Sequence, residues 1–134
     1  MNEYVVINNR PCKIVAYSTS KTGKHGLAKA NITGLDLFDG KKHTFVGPMH
    51  TTLSVPEVNK EDWALISIDD DNMLTLQGES SKRSDIPLPP GELGNKIKGE
   101  LGQIIEGSGR YVSVLLVTSM GINAVTSCRI NEPG

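Results

Sequence analysis

Short runs of alternating apolar and polar residues follow one another along almost the whole chain of 134 residues. In the first part the runs are rich in β-branched and aromatic residues, and turn residues separate them, which is typical of strands joined by tight turns. Five such strands within about 55 residues favour a small β-barrel. Their sequences are "EYVVI", "PCKIVAY", "AKANITGLDLF", "KKHTFV" and "TTLSV", the last at residues 51–55.

The third of these runs shows the alternation most clearly. In "ANITGLDLF", Ile32 and the pair Leu35 and Leu37 mark buried faces, and the alternation slips once near Gly34. A glycine inside a strand is typical of a β-bulge or a sharp barrel bend. We therefore expect the strand to bend at this point.

The run "VPEVNKED" interrupts the strand pattern with a proline and several charges, which predicts a domain boundary near Pro56. We expect one domain at residues 1–55 and a second at 56–134. In the second, "WALISI", "MLTLQ" and "KRSDIPL" precede a helix at 89–105, and "YVSVLLVT" and "NAVTSCRI" follow it as a hairpin across Met120 and Gly121. Five strands with one helix between the third and fourth predict an OB-fold, so the fold class is all-β, an SH3-like barrel and then an OB-fold.

The helix is predicted from apolar residues at helical spacing. The run 89–105 opens with two prolines that sit just before the helix start, which suits a helix N-terminus. Three glycines within it, Gly94, Gly99 and Gly102, each cost about 1 kcal/mol relative to alanine, so tertiary packing must stabilise it. The apolar residues expected on its packed face are Leu93, Ile97, Leu101, Ile104 and Ile105.

Composition and charge favour a globular protein whose first half contacts a polyanion. The hydrophobic content of 37% and the charged content of 22% suit a globular protein. The net charge of −1 hides an asymmetry, since residues 1–54 carry a net +4 and residues 55–134 a net −5. This split suggests that the first half meets a polyanion.

No apolar run could span a bilayer, no secretory signal is present, and the two cysteines are far apart, so we expect a cytoplasmic location.

The segment "STSKTGKHGLAK", residues 18–29, joins two predicted strands and contains three lysines, no acid and two flexible glycines. It is not a P-loop, because Ser18 stands where that pattern needs glycine and His25 where it needs Ser or Thr. A strand rather than a helix follows it. The residues alone predict an exposed, cationic hairpin tip with an accessible Lys24, which is compatible with either a solvated turn or a contact to RNA phosphate.

Other candidate sites are weaker. The three histidines lack metal-ligand spacing, and the aspartates at 69–71 lack the glutamate and flanking helices of an EF-hand and predict a turn. Ser119 has no histidine near it in the sequence, and Cys128 falls in a predicted core strand, so no catalytic residue and no bound metal or cofactor is expected. Trp63 is expected to be a core aromatic rather than a base-stacking platform.

The lysine segment and its surroundings resemble the eukaryotic translation initiation factor 5A family over nearly the whole chain. The motif "STSKTGKHG" is long and specific, and it looks eukaryotic rather than archaeal. "RPCKIV" precedes it and "GLDLFDGKK" follows it, and "LPPGELGNKI" resembles the family's segment that leads into the helix of the second domain. The resemblance also places the join between the domains at "VP", residues 55–56.

The resemblance implies that Lys24 is converted to hypusine. Deoxyhypusine synthase would transfer an aminobutyl group from spermidine to it with the help of NAD, and deoxyhypusine hydroxylase would complete the modification. The resemblance further implies a translation factor, not an enzyme, that binds the ribosome, contacts ribosomal RNA and the P-site tRNA, and promotes peptide bond formation at stalled sites and termination. It would be a monomer or weak homodimer without a membrane partner. The residues expected to support RNA contact or recognition by the modifying enzyme are Lys21, Thr22, Gly23, His25, Gly26 and Lys29.

The chain departs from the family pattern in two ways. Leu27 stands where the family usually has histidine or a small residue, directly beside the modified motif. Family members also usually have a strand ahead of "EYVVI", so we expect the first barrel to be incompletely closed, with an exposed edge. Two alternatives stay open, a structural paralogue like the fungal lattice-forming relative, which has lost the lysine loop, and an RNA-binding paralogue that acts without modification.

Overall fold

The computed structural model describes residues 3–21, 28–49 and 51–132. The chain divides into two compact units, Met1–Glu57 and Val58–Gly134. The first contains strands β1 (Tyr4–Ile7), β2 (Arg10–Lys21), β3 (Ala28–Asp36) and β4 (Lys42–Pro48). The second contains β5 (Val58–Ile68), β6 (Met73–Gln77), β7 (Lys82–Pro87), α1 (Gly91–Gly102), β8 (Tyr111–Ser119) and β9 (Ile122–Asn131).

The first unit is a four-stranded antiparallel sheet in the order β1-β2-β3-β4. The turn between β1 and β2 consists of Asn8 and Asn9, whose φ angles of 54° and 62° match the primed turns that suit the twist of a hairpin. β1 also contacts β4, so the sheet curls into a half-barrel. Its core consists of Val5, Ile7 and Cys12, with Ile14, Ile32, Phe45 and Leu53 packed against it.

The bend expected near Gly34 is present as a β-bulge in the opposite strand. Ile14 of β2 lies across from Gly34, whereas Ala16 lies across from Thr33, so Val15 is the extra residue. A Cβ atom on Gly34 would come within 2.7 Å of the Cβ atom of Cys12. Glycine is therefore needed here because β2 passes too close to β3 for a side chain.

The fifth strand predicted for the first unit is absent from the described residues. Residues 51–55 form no ladder, and the bond from the Val6 amide to the Ser54 carbonyl, at 2.9 Å, joins them to β1. Leu53 packs against the core, but Val55 is 78% exposed and Pro56, which follows it, has no amide to donate to a ladder. The β-branched residues here suited a strand locally, but no strand in the part of the chain that the structure describes pairs with them.

The second unit is an OB-fold, as the sequence predicts. Its sheet runs β7-β6-β5-β8-β9, α1 lies between β7 and β8 in the chain, and contacts between β7 and β9 bring the outer strands together. Met120 and Gly121 form the last hairpin turn, with φ angles of 53° and 78°. The core consists of Trp63, Leu65, Leu74, Leu76, Ile86, Ile97, Val112, Val114, Leu116, Val125 and Cys128.

Three details of the prediction are wrong, two in this unit and one in the first. β5 begins at Val58 rather than Trp63. Residues 58–62 pair with β8, but the charged residues among them are exposed, so the sequence lacks the apolar alternation that would have predicted a strand here. Helix α1 ends at Gly102 rather than 105, and Ile105 is 73% exposed. In the first unit Leu35, expected to mark a buried face, is exposed. Within the described residues, no helix has the length and apolar character of a membrane span.

Candidate functional site

The lysine segment sits at the end of a long hairpin formed by β2 and β3. The ladder continues through Ser18 and Asn31 to its last pair, Lys21 and Ala28. The six residues that connect this pair, 22–27, are called here the lysine loop. The expected site residues Thr22, Gly23, Lys24, His25 and Gly26, and the departure at Leu27, lie outside the described residues, as does the side chain of Lys21.

The base of the lysine loop is supported by three strands. Lys29 of β3 lies between Ser20 of β2 and Pro48 of β4, so it belongs to both ladders. Beyond the end of β4, the amide of Met49 still donates to the carbonyl of Ala28 at 3.0 Å. Backbone hydrogen bonds on both sides therefore hold β3 up to the residue at which the lysine loop ends.

Packing within the sheet adds to this support. Ala30 is buried, and its neighbours across the two ladders are Thr19 and Gly47. The ring of Phe45 lies over Gly47, where a Cβ atom would come within 2.7 Å of it. An aromatic ring that covers a strand glycine replaces the missing side-chain contacts and stiffens the strand.

The hairpin surface is polar and lacks acidic side chains near the loop. Residues 16–20 and Lys29 are exposed, and residues 18–29 contain three lysines and no aspartate or glutamate. The positive charge of this segment is therefore not neutralised by its own neighbours in sequence. Such a segment is attracted to phosphate, and the attraction weakens as salt rises.

A buried carboxylate lies at the other end of the hairpin. The side chain of Asp36 is fully buried, and it accepts hydrogen bonds from Arg10 Nε at 2.5 Å and Nη2 at 3.2 Å. The backbone amides of Phe38 and Asp39 donate to the same carboxylate at 2.8 and 3.3 Å. Burial would raise the pKa of Asp36, but the hydrogen bonds from Arg10 and these amides outweigh it, and the pKa is lowered.

Sequence reasoning missed this network, although a signal for it exists. Inward positions of β3 recur at residues 30, 32 and 34, and Asp36 continues that period. A charged residue in phase with buried positions predicts a buried ion pair. The network ties the start of β2 to the end of β3, so it fixes the register of the hairpin that presents the lysine loop.

His43 is the histidine that the structure describes, since His25 and His50 lie outside the described residues. Its Nδ1 lies 3.2 Å from Asn8 Nδ2, and its Nε2 lies 3.8 Å from an Asp36 oxygen. Among the described residues no group of three or more potential ligand side chains could hold a metal ion. His43 thus belongs to the network around Asp36.

The second unit contains a cleft of 410 Å³ beside Trp63, lined also by Asp62, Gly78, Glu79 and Arg129. Trp63 is only 7% exposed and packs against Gly78, where a Cβ atom would come within 2.9 Å of the ring, so it is a core residue as expected. Two carboxylates in the lining disfavour a nucleic-acid phosphate. The lining of this cleft therefore does not suit a phosphate ligand.

Known protein families match both units of the chain. Residues 1–51 match the family model described as translation initiation factor 5A-like, N-terminal. Residues 57–129 match the model described as eukaryotic elongation factor 5A hypusine, DNA-binding OB fold. The matched ranges together cover most of the chain and include the lysine loop.

Whole-chain relatives agree with these matches. Eukaryotic translation initiation factor 5A-1 of Schizosaccharomyces pombe is 40% identical over 128 residues, which cover 96% of this chain and 78% of the relative. The Drosophila melanogaster factor 5A is 40% identical over 131 residues, 97% of this chain and 79% of the relative.

Solved structures give the same result. A translation initiation factor 5A family protein from Naegleria fowleri superimposes with a TM-score of 0.80 at 38% identity, covering 96% of this chain and 90% of that one. Factor 5A of Methanococcus jannaschii superimposes with a TM-score of 0.66 at 28% identity, covering 96% and 86%. With both units matched in sequence and in fold, the chain belongs to the translation initiation factor 5A family of translation factors.

Proposed function

We propose that the protein binds the ribosome and uses a hypusine-modified Lys24 to position the P-site tRNA, promoting peptide bond formation at stalled sites and termination. The observation that carries the proposal is the hairpin, whose ladder ends at Lys21 and Ala28 and delimits a six-residue loop containing Lys24. Three-stranded pairing at Lys29 holds the base of this loop.

A positioned cation suits this function because it needs no catalytic group. Restraining the acceptor end of a tRNA lowers the entropic part of the barrier to peptide transfer. The proposed modification of Lys24 suits the same role in positioning the tRNA. An aminobutyl group transferred from spermidine by deoxyhypusine synthase, then hydroxylated by deoxyhypusine hydroxylase, lengthens the Lys24 side chain and adds an amine for RNA phosphate. The protein is the substrate of both enzymes.

The distribution of charge supports an RNA contact by the first unit. Residues 1–54 carry a net +4, whereas residues 55–134 carry a net −5. We expect ribosome binding to weaken as salt rises, with a slope that falls when Lys29 is replaced by glutamine. Binding that does not change with salt contradicts a phosphate contact.

Translation of a reporter containing a proline run, in extract depleted of the endogenous factor, tests the function. We expect the modified protein to restore full-length product, and the unmodified protein and Lys24→Arg to give at most about a tenth of that rate. Lys41→Arg is the matched control, since Lys41 is an exposed lysine in the turn between β3 and β4. Equal activity of modified and unmodified protein contradicts the proposal and favours an RNA-binding paralogue that acts without modification.

A further inference from the structure

The strand register separates the side chains of the first sheet into two faces. Along β3, positions 30, 34 and 36 are buried and Ile32 packs against the core. The odd-numbered positions 29–35 therefore lie on the other face, because side chains alternate along a strand. Directly paired residues share a face, so this face continues through positions 13, 16, 18 and 20 of β2 and positions 42, 44, 46 and 48 of β4. We call it the outer face, and all of its positions lie within the described residues.

Lysines stand at both ends of the outer face. Lys13 and Lys42 lie on either side of Leu35 in one row of the sheet. Lys29 lies at the other end of the face, in the row nearest the lysine loop. All three lysines are exposed, and none forms a salt bridge with any described residue. Their charges are therefore available to an external anion.

No carboxylate lies on the outer face. Residues 1–54 contain three acids, and none of them occupies an outer-face position. The side chain of Asp36 is fully buried on the opposite face, and Glu3 precedes β1. Asp39 lies in the turn after β3, where it accepts a hydrogen bond from the Lys41 amide. The outer face thus has three positive charges and no negative charge, which complements a polyanion.

Short polar side chains fill the middle of the outer face, between the lysines. Ser18 pairs with Asn31 in one row, and Thr33 pairs with Thr44 in the next. Hydroxyl and amide groups of this kind form hydrogen bonds to the phosphate oxygens and 2′-hydroxyls of RNA. The centre of the face therefore suits the sugar and phosphate groups of an RNA backbone.

The outer face has no aromatic side chain. Tyr17 and Phe45 share a row with Ile32 and so belong to the opposite face. Proteins that bind single-stranded nucleic acid stack the bases on aromatic rings, and the outer face provides no such platform. It therefore suits RNA whose bases are already stacked in a double helix.

The size of the outer face also suits a duplex. Lys29 and Leu35 are six positions apart on β3, about 20 Å at the rise of a strand. Lys13 and Lys42 lie on the two strands that flank β3, about 10 Å from each other. The two backbones of an RNA duplex border a wide, shallow minor groove that displays 2′-hydroxyls. Phosphates at the borders of this groove would meet the lysines, and its 2′-hydroxyls would meet the polar centre.

We propose that the outer face binds double-helical RNA through its phosphates and 2′-hydroxyls, without reading the base sequence. The inference rests on the proposed function for its RNA partner, but it places this contact on the sheet and requires no modification of Lys24. RNA is favoured over DNA because the hydroxyl and amide groups between the lysines contact the 2′-hydroxyl, which DNA lacks.

Binding of a labelled RNA duplex to the unmodified full-length protein, followed by fluorescence anisotropy, tests the proposal. With a duplex of about 16 base pairs we expect saturable binding with a Kd of about 10 μM. The logarithm of the binding constant should fall with the logarithm of the salt concentration with a slope of about −3, one unit for each lysine. A duplex of different sequence should bind equally well. Single-stranded RNA and a DNA duplex of the same length should each bind at least about fivefold more weakly.

The double variant Lys13→Gln with Lys42→Gln is expected to weaken duplex binding about tenfold and to reduce the salt slope to about −1. The matched control is Lys82→Gln with Lys98→Gln, which removes the same charge from exposed lysines of the second unit and should change the Kd by less than about twofold. Asn31→Asp places a carboxylate at the centre of the outer face with little change in shape. It should weaken binding about fivefold.

A second measurement does not depend on the stability of any variant. Addition of the RNA duplex to the unsubstituted protein should shift the backbone amide NMR signals of residues 29–35 and 42–48, which form β3 and β4 of the outer face.

Four results overturn the proposal. They are no saturable binding of the RNA duplex, an equal loss of affinity in the two double variants, equal or tighter binding of the single strand or the DNA duplex, and NMR shifts confined to other residues. Because the protein is unmodified in these experiments, their failure leaves the proposed role of Lys24 standing. Failure of the translation assay, in turn, leaves binding of the duplex standing.

Discussion

Two glycines of helix α1 are predicted to respond in opposite ways to alanine. Gly99 is an interior helical position with open space around a Cβ atom, so Gly99→Ala should raise the free energy of unfolding by about 1 kcal/mol. At Gly94 the added Cβ would overlap the carbonyl oxygen of Pro89 and lie 3.4 Å from Leu88 Cγ. Gly94 is buried, whereas Gly99 is exposed.

The overlap at Gly94 involves backbone that cannot rotate away. Pro89 is followed by Pro90, the residue that precedes the helix, and proline rings fix the local φ angles. We take the upper end of the usual range for overpacking, about 3 kcal/mol. After the helix-propensity gain of about 1 kcal/mol, Gly94→Ala should lower the free energy of unfolding by about 2 kcal/mol.

Urea unfolding followed by the fluorescence of Trp63, the sole tryptophan of the chain, reports on this unit. With an m-value of about 1 kcal/mol per M, the midpoint should rise by about 1 M in Gly99→Ala and fall by about 2 M in Gly94→Ala. Equal stabilisation by both substitutions would refute the close approach of Pro89 to α1.

The remaining predictions concern two buried side chains. Asp36→Asn should lower the free energy of unfolding by about 2 kcal/mol at neutral pH, because Arg10 loses its charged partner. The pKa of Asp36 is lowered in the folded state, so this difference should be present above the unfolded pKa of about 3.9 and disappear as pH falls through the folded value, measured by denaturation at each pH. Burial and Glu100 raise the pKa of Cys128 to about 11, so its alkylation at pH 8 should be roughly 200-fold slower than that of a free thiol, and Glu100→Gln should accelerate it, measured by mass spectrometry. An Asp36→Asn difference that does not shrink as pH falls below the unfolded pKa of about 3.9, or a thiol as reactive as free cysteine, would contradict these assignments.

The alternation of apolar residues predicted most strands because each has one buried face. The alternation failed to predict strands correctly where the burial of side chains does not coincide with the pairing of the backbone. At residues 51–55 a strand-like sequence has no partner strand among the described residues. At residues 58–62 charged side chains hide a part of β5 in which every residue pairs with β8. Strand pairing is a long-range property, and a local pattern does not contain it.

The local pattern also failed to predict where the helix ends. The apolar spacing continues through Ile104 and Ile105, but the helix ends at Gly102, and Ile104 packs against the core from the loop that follows. At the candidate site the sequence identified the lysine motif by resemblance. It did not reveal the support of that site by β4 or the ion pair at Asp36, since both depend on residues distant in the chain.

We propose that Lys24 acts as a modified residue, and the mass of the peptide that contains it decides the matter. Protein isolated from the cells that make it is digested, and the mass of the peptide containing Lys24 is measured by tandem mass spectrometry. We expect an added hydroxylated aminobutyl group on Lys24 and on no other lysine of the segment 18–29. An unmodified Lys24 in that peptide would show that the proposed function is wrong.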